Sequence, residues 1–462
     1  MGRTAYAEER LQAYLASLAI SQKYVIGLIL GQSTEQRDYV VHLAKTPPPL
    51  MKNVVEESLI SSPSNVQEDV SDKYINTVKD IQEGWVADHA KHVTRMLPGG
   101  MCVLGIFIVG PDDVFNGNSN TQKLRSIINA IQKSLSNNKY LGGNNIEEKL
   151  ILNLNSVTQK YTCKSVDADT SGMLKLVDWK FQSKPTKWHQ LEALVDLDRL
   201  FFISADTNPA NLKQQLQDIL QDVSITIDNA LIVIDNKIRS LDDTLDGIIK
   251  KRKEEKGNKS TDKSNNDKSL QIHLYIPCQS ETEQPDVRIT CCTTSIRLVG
   301  QLVSRTFVHQ KATVEEANHA VKQDIIRSLA SRLEMHWDSL IEEESGSPEE
   351  NITLHEPPRR VLIALPESKV TLSDYLFPGE GPQEALLSLQ ELLDLEVQES
   401  NVQKDIELQA DPVEFYCQSE TETNPQDNKK DSCGKTQVAT YVAGVGVALI
   451  ILIIAILIHR LY

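Results

Sequence analysis

Two histidines and one glycine–lysine–threonine triplet stand at spacings that could support ligand chemistry. His89 and His92 lie three residues apart on a predicted helix, a spacing that can hold a metal ion. No nearby cysteine or carboxylate set completes a ligand shell, and His89 borders the apolar face, so the pattern favours a hydrogen-bonded packing role. The triplet at 434–436 follows Lys429, where a phosphate-binding loop requires a glycine, which argues against nucleotide binding.

Three aspartates, a serine and a glycine have nearly the spacing of a calcium-binding loop. They would place oxygen ligands at loop positions one, three and five, with a turn glycine: Asp167, Asp169, Ser171, Gly172 and Asp178. Both flanks are predicted strands, however, and Asp178 replaces the longer bidentate glutamate. The sequence therefore predicts a polar hairpin turn at this place rather than a calcium site.

The strand that ends at Pro111 carries a more informative pattern. The order of strand, hairpin, helix and strand, with Gly105, Phe107 and Pro111 in the last strand, is similar to the metal-site strand of MPN-type isopeptidases (G-x-Y-H-x-H-P). Three positions stand where that site has two histidines and an aspartate: Ile108, Gly110 and Thr121. Hydrolytic zinc needs about three protein ligands. The resemblance implies an inactive MPN-like domain without metal or other cofactor; the open alternative is a buried strand that ends in a turn.

Charge and cysteine content limit the other function classes. A formal net charge of −16 disfavours nucleic-acid binding, which depends on neutralising phosphates. The seven cysteines form no C-x-x-C pair, and Cys102 falls on a predicted buried strand, where an inert thiol is the default. A non-enzymatic chain is therefore favoured, with a cysteine- or metal-dependent hydrolase of ubiquitin-like conjugates as the alternative.

The elements around these residues indicate an α/β (α+β) chain in two folded parts. The predicted divisions are an MPN-like domain at 1–205 with a polar insertion at 50–80, a second α/β region at 206–395 with a disordered loop at 250–268, and an acidic flexible linker at 396–437. Within the second part, the pattern predicts a strand over Ser224–Asp235 and a helix capped by Thr313 with Glu316 as its capping-box partner.

The C-terminal run from Val438 to Ile458 contains no charged residue. As a helix it would span roughly 30 Å, the thickness of the hydrocarbon core of a bilayer. The N-terminus has no pattern of a signal peptide. The sequence thus predicts a single-pass, tail-anchored protein with the bulk of its chain in the cytosol.

Several segments together resemble the odorant-response-abnormal protein 4 family. The most specific is the block W-V-A-D-H-A-K-H-V-T-R-M-L-P-G-G. The residues singled out in and after it are Trp85, Asp88, His89, Ala90, Arg95, Met96, Leu97, Pro98, Gly99, Gly100 and Gly105. The segments DWKFQS (178–183), AVKQDI (320–325) and Asp374-Tyr375 agree.

The family resemblance implies a non-enzymatic adaptor in the endoplasmic reticulum membrane. Such a protein recruits the cysteine protease specific for the ubiquitin-fold modifier, as a heterodimer, and assists the folding or trafficking of G-protein-coupled receptors, including odorant receptors. The partner protease, the receptor clients and the choice of membrane are all implied by the resemblance and by nothing in composition or spacing.

Overall fold

The computed structural model describes residues 2–20, 24–48, 75–142, 148–167, 174–204, 211–255, 269–276, 291–342 and 355–407. These residues belong to one compact unit, Met1–Gln409. No helix in these ranges combines the length and the apolar composition that crossing a bilayer requires. The predicted span at 438–458 lies outside the described residues.

Seven strands form a closed barrel in the order β1-β3-β2-β4-β5-β6-β7, and β1 closes it by pairing in parallel with β7. The strands are β1 (Thr4–Glu8), β2 (Val25–Ser33), β3 (Arg37–Lys45), β4 (Cys102–Gly110), β5 (Glu148–Asn155), β6 (Tyr161–Asp167) and β7 (Lys175–Gln182). The predicted β2–β3 hairpin is confirmed by its antiparallel register. β1 was missed because five residues beside a helix carry little periodicity.

The near-continuous apolar runs of β2 and β4 reflect burial on both faces of the barrel sheet. One face packs against α1 (Glu9–Ala19). The other packs against α2 (Glu83–Met96) and α3 (Asn118–Ser136). A short helix, α4 (Lys139–Gly142), follows α3.

A second sheet has four strands in the order β11-β8-β10-β9. They are β8 (Trp188–Ser204), β9 (Leu231–Ile234), β10 (Leu270–Tyr275) and β11 (Cys292–His309). One face forms a core with α5 (Leu212–Asp228), α6 (Leu245–Glu255) and α7 (Val314–Glu342). The predicted capping box of α7 is confirmed, because Thr313 N donates to Glu316 Oε2 and Glu316 N donates to Thr313 Oγ1.

A third sheet, in the order β13-β12-β14, joins the core on the α2 side of the barrel. It consists of β12 (Arg359–Ala364), β13 (Thr371–Leu376) and β14 (Val402–Gln403), with α8 (Pro382–Leu393) between the last two. Short 3₁₀ turns occupy Val78–Asp80 and Glu399–Asn401.

The structure corrects three predictions about individual segments. Residues 224–228 are the last turn of α5, and the predicted strand is limited to β9, since Val223 and Ile227 continue the helical stripe. Residues 250–255 of the predicted loop are helical in α6; the rest of that loop, 256–268, lies outside the described residues. Residues 396–407 of the predicted linker contain β14 and the buried Glu407, so they are part of the fold.

The boundary that the sequence placed at 205 falls inside the second sheet. β8, placed before it, pairs with β11 over its whole length and with β10 at its start. The alternation of apolar residues in β8 shows that it is a strand, but it carries no information about which partner strand is bound. The polar insertion at 50–80 also ends earlier than predicted, because Val78 is a core residue; positions 50–74 lie outside the described residues.

Candidate functional site

The three positions that the sequence pattern places at the MPN metal ligands lie in packed surroundings. Ile108 is fully buried in the core, opposite Ile26 of β2 and Asn153 of β5. A side chain at Gly110 would meet the ring of Tyr24, 2.6 Å from the ideal Cβ. Thr121 lies in the first turn of α3, where its hydroxyl donates to Gly117 O. Across the described part of the chain, no three His, Cys, Asp or Glu side chains are grouped as metal ligands.

His89 has a structural role instead. Its Nε2 lies 2.7 Å from Leu392 O and its Nδ1 lies 3.1 Å from Thr46 Oγ1. His42 of β3 acts in the same way, with Nε2 2.8 Å from Leu393 O. The last carbonyls of a helix have no partner within the helix, so the two imidazoles cap the C-terminus of α8.

Burial determines the charge state of these two rings. Desolvation lowers the pKa of His42 and of His89 to about 4, so both rings are neutral near pH 7. Each therefore has one N–H, which it donates to its carbonyl, and the predicted packing role of His89 is confirmed. His92, on the same helix, is exposed.

The rest of α2 joins neighbouring elements through both ends of its motif. Trp85 Nε1 donates to Pro47 O at 2.9 Å, and Ala90 is buried against the core. Lys91 and Arg95 both pair with Glu334 of α7 at 2.8 Å. Asp88 points to the exposed side of the helix.

The turn after α2 connects the barrel to the second sheet. Phe307 N of β11 donates to Gly99 O, and Gln32 Nε2 of β2 donates to Gly100 O at 2.9 Å. The Gln32 carbonyl in turn accepts from His309 N at 2.7 Å. Both glycines are required: a side chain at Gly99 would collide with Thr306, and Gly100 has a φ of 80°.

The same turn is held from α7 by a buried arginine. Arg327 Nη1 donates to Leu97 O at 3.2 Å and to Met101 O at 3.3 Å. Met96, Leu97 and Pro98 are themselves buried. We name residues 85–100 with their partners on β2, β11 and α7 the junction, because nearly every motif side chain takes part in joining these elements.

A buried ionic network continues from the junction into the third sheet. Arg360 of β12 forms two hydrogen bonds with Asp324 of α7, at 2.7 and 2.9 Å, and also donates to Ser373. Asp324 additionally accepts from Ser304 of β11 at 2.8 Å. Sequence reasoning missed this network; its only sequence signal is one acidic residue beside the apolar stripe of α7.

The network also holds the last described residues. Glu407 accepts from Arg332 Nη2 at 2.6 Å, from Val303 N at 3.0 Å and from Arg360 N at 3.2 Å. The ion pair is almost fully buried, with 8% and 3% of the two side chains exposed. Breaking such a pair by removing one partner is costly, since the remaining charge stays buried.

Cys102, the candidate thiol of the hydrolase alternative, lies beside the junction. Its Sγ is 3.5 Å from Gly31 O, and it lines a small cleft with Gln32, His309 and His319. Burial raises the pKa of this thiol, and the opposing effects of Lys149 and Arg327 are smaller. The protonated thiol is a weak nucleophile, which argues against cysteine catalysis at this place.

The junction lies within a region that matches a known family model. The model described as odorant response abnormal 4-like matches residues 27–404. The chain belongs to the odorant response abnormal 4-like family. All motif residues named above, from Trp85 to Gly105, fall inside the matched region.

Similar proteins in several animals have comparable length. The odr-4 homolog of Gallus gallus is 31% identical over 410 residues, which cover 87% of this chain and 86% of the relative. The odr-4 homolog of Homo sapiens is 30% identical, with 86% and 84% covered. Odorant response abnormal protein 4 of Caenorhabditis elegans is 23% identical, with 73% and 68% covered.

Among solved structures, the chain is similar to UfSP from C. elegans. The TM-score is 0.40 at 9% identity, over 86% of this chain and 57% of that one. At this TM-score the similarity carries no conclusion about function.

Proposed function

We propose that this member of the odorant response abnormal 4-like family is a non-enzymatic adaptor built on an inactive MPN-like domain. The observation that carries the proposal is the packing at the metal-ligand positions. Ile108 is sealed in the core, and the space beside Gly110 is filled by the ring of Tyr24. Neither position offers a donor atom, and an open coordination position for water is what hydrolytic zinc requires.

The polar residues of the motif support the same proposal. In a catalytic site, titratable groups face a cleft with poised pKa values. Here His89 is neutral and caps a helix, Arg95 is paired with Glu334, and the thiol of Cys102 has a raised pKa. These groups stabilise the fold, and none of them is arranged as a nucleophile beside a base.

The adaptor is proposed to act at the endoplasmic reticulum membrane. Residues 438–458 serve as a single membrane-spanning anchor, with the bulk of the chain in the cytosol. The family resemblance supports two activities there, namely the recruitment of the cysteine protease specific for the ubiquitin-fold modifier and the assistance of G-protein-coupled receptors in folding or trafficking.

The segment that precedes the proposed anchor is attached to the core at Glu407. Glu407 is held by a side chain of α7 and by backbone amides of β11 and β12. A force applied to the following residues would therefore reach three elements of the core instead of fraying a loose end.

Removal of the anchor tests the proposal directly. In cells that lack the native protein, the full chain should keep the partner protease in the microsomal fraction, whereas a chain that ends at Gln437 should leave it in the cytosol. A matched control carries an unrelated tail anchor in place of 438–458 and should restore membrane recruitment. Recruitment that persists without any anchor would contradict the adaptor role.

A second measurement addresses the hydrolase alternative. The purified chain, free of partner protease, should not cleave conjugates of the ubiquitin-fold modifier. Cleavage that is lost on Cys102→Ser would replace the adaptor proposal with a cysteine hydrolase.

A further inference from the structure

Among the described residues, helices cover one face of the second sheet along β8, whereas the other face is covered only at the start of the sheet. Alternate residues of β8, from Leu191 to Leu197, point into the core shared with α5 and α7. The residues between them point the other way. At the start of the sheet this second side is also covered, because Trp188 and Phe307 belong to the core of the barrel.

Beyond residue 193 the second side of the sheet is exposed and carries large apolar side chains. The exposed fractions are 51% for Leu194, 48% for Leu200, 67% for Phe202, 49% for Leu231 and 57% for Tyr275. The strand register places them on one surface, since Leu231 lies opposite Tyr275 and β10 runs beside β8. We name these five residues, together with Asp196 and Asp198 between them, the open face.

The size of the open face exceeds that of scattered surface apolar residues. With about 3.3 Å per residue along the strands and about 4.8 Å between them, it covers roughly 500 Å². Part of this area belongs to Asp196, Asp198 and their partners, and exposed apolar surface that is bordered by polar groups marks interaction sites more often than scattered apolar residues do. One helix of about four turns, roughly 10 Å wide, would cover it.

The charges on the open face indicate the kind of partner. Asp196 accepts a hydrogen bond from the neutral amide of Gln301, and Asp198 forms a bidentate pair with Arg297. Glu192 stands at the lower border. Three carboxylates (Glu192, Asp196 and Asp198) meet two arginines on this side, because Arg305 pairs with Glu192 at 3.2 Å and Arg297 pairs with Asp198, so Asp196 supplies one negative charge in excess. The chain also carries a net charge of −16, so a second copy would be repelled while a basic partner would be attracted.

The covered side of the same sheet shows which element fits such a surface. There α5 and α7 lie on the strands and fill the apolar side with aliphatic side chains. Either face of a sheet can bury its apolar side chains against a helix in this way.

We propose that the open face is the docking surface for an amphipathic helix of the recruited partner, with large aliphatic residues in its centre and Lys or Arg at its margins. The inference rests on the proposed function, because it assigns the surface by which the protease specific for the ubiquitin-fold modifier is held. The apolar stripe of that helix covers Leu194, Leu200 and Phe202, and its basic residues face Asp196.

Binding of the purified partner protease to the full chain in detergent tests the site. Calorimetric titration should show that L200D/F202D weakens binding at least tenfold, while Leu176→Asp, at an exposed apolar position on β7, leaves it unchanged. Asp196→Lys should also weaken binding and reduce its salt dependence. Urea unfolding and circular dichroism establish that every variant is folded.

The possible outcomes distinguish a failure of the proposed docking surface from a failure of the proposed adaptor function. Binding by the wild type that L200D/F202D leaves intact would overturn the site and keep the adaptor. No binding by the wild type would overturn both. A wild-type chain that dimerises through this surface, with dimers lost in L200D/F202D and protease binding unaffected, would assign the open face to a second copy and overturn the proposal.

Discussion

The junction and the open face are two surfaces of the same second sheet with opposite character. At the junction, β11 meets the turn after α2 through buried hydrogen bonds: Phe307 N donates to Gly99 O, and Gln32 binds both Gly100 O and His309 N. At the open face, the same sheet presents Leu200 and Phe202 to solvent.

This contrast shows that the part of the sequence that identifies the family is not the surface proposed to bind a partner. The block at 85–100 is the most distinctive stretch of the sequence, yet its residues mainly join elements inside the molecule. The open face has no motif, and its residues look like those of any amphipathic strand. A distinctive sequence can therefore reflect close packing between elements of the fold. The surface proposed for a partner, in contrast, consists of residues that occur in any amphipathic strand.

The largest expected effect comes from the ionic network beside the junction. Asp324→Ala leaves Arg360 buried without its carboxylate and should lower the free energy of unfolding by about 3–5 kcal/mol. The exposed pair of Arg199 and Asp222 serves as the control, since Asp222→Ala should cost less than about 1 kcal/mol. Urea unfolding measures both, and equal losses would show that burial does not distinguish the two pairs.

Acid should weaken the contact that His42 and His89 make with the C-terminus of α8. The pKa of His42 and of His89 is about 4 in the fold, below the unfolded value of about 6.5. The unfolded chain therefore takes up protons first, and the stability contributed by the neutral rings is complete above pH 6.5 and is lost as the pH falls towards 4.

The loss should amount to about 2–3 kcal/mol per histidine at pH 4. A variant with His42→Gln and His89→Gln keeps a donor to each carbonyl but does not titrate. Its unfolding free energy should change less between pH 7 and 4 than that of the wild type, and identical slopes would refute the role of the two rings.

Two glycines near the junction should respond to alanine with opposite signs. Gly105→Ala places a methyl group against the backbone of Leu150 and should cost about 1–3 kcal/mol. Gly84→Ala meets nothing within 4 Å in the first turn of α2 and should stabilise by up to about 1 kcal/mol. Thermal unfolding of the two variants distinguishes packing from backbone entropy.

The smallest effect on stability is expected at the open face. Leu200→Asp should change the free energy of unfolding by no more than about 0.5 kcal/mol, because the side chain is already half exposed. A loss of several kcal/mol in urea unfolding would show that Leu200 contributes to the folded core and would remove the contrast with the junction.

Local patterns predicted the elements whose signal lies within a few residues. The stripe of Val314, Ala317 and Val321 with the Thr313 cap predicted α7, and the run at 101–110 predicted β4. The strand over Ser224–Asp235 was wrong because its first residues continue the helical stripe of α5. The packing role of His89 was predicted from its place on the apolar face, but its partner, a carbonyl 303 residues away, carries no local signal.

By itself, the sequence determined the mixed α/β class, the family, the absence of ligand-type residues at Ile108, Gly110 and Thr121, and an apolar run at 438–458. Tertiary structure alone decided that β8 pairs with β11, that Glu407 is buried, and that one side of the second sheet is open. The reason is physical. Periodicity and residue type act over a few residues, whereas strand partners, buried ion pairs and uncovered faces depend on which distant segments meet.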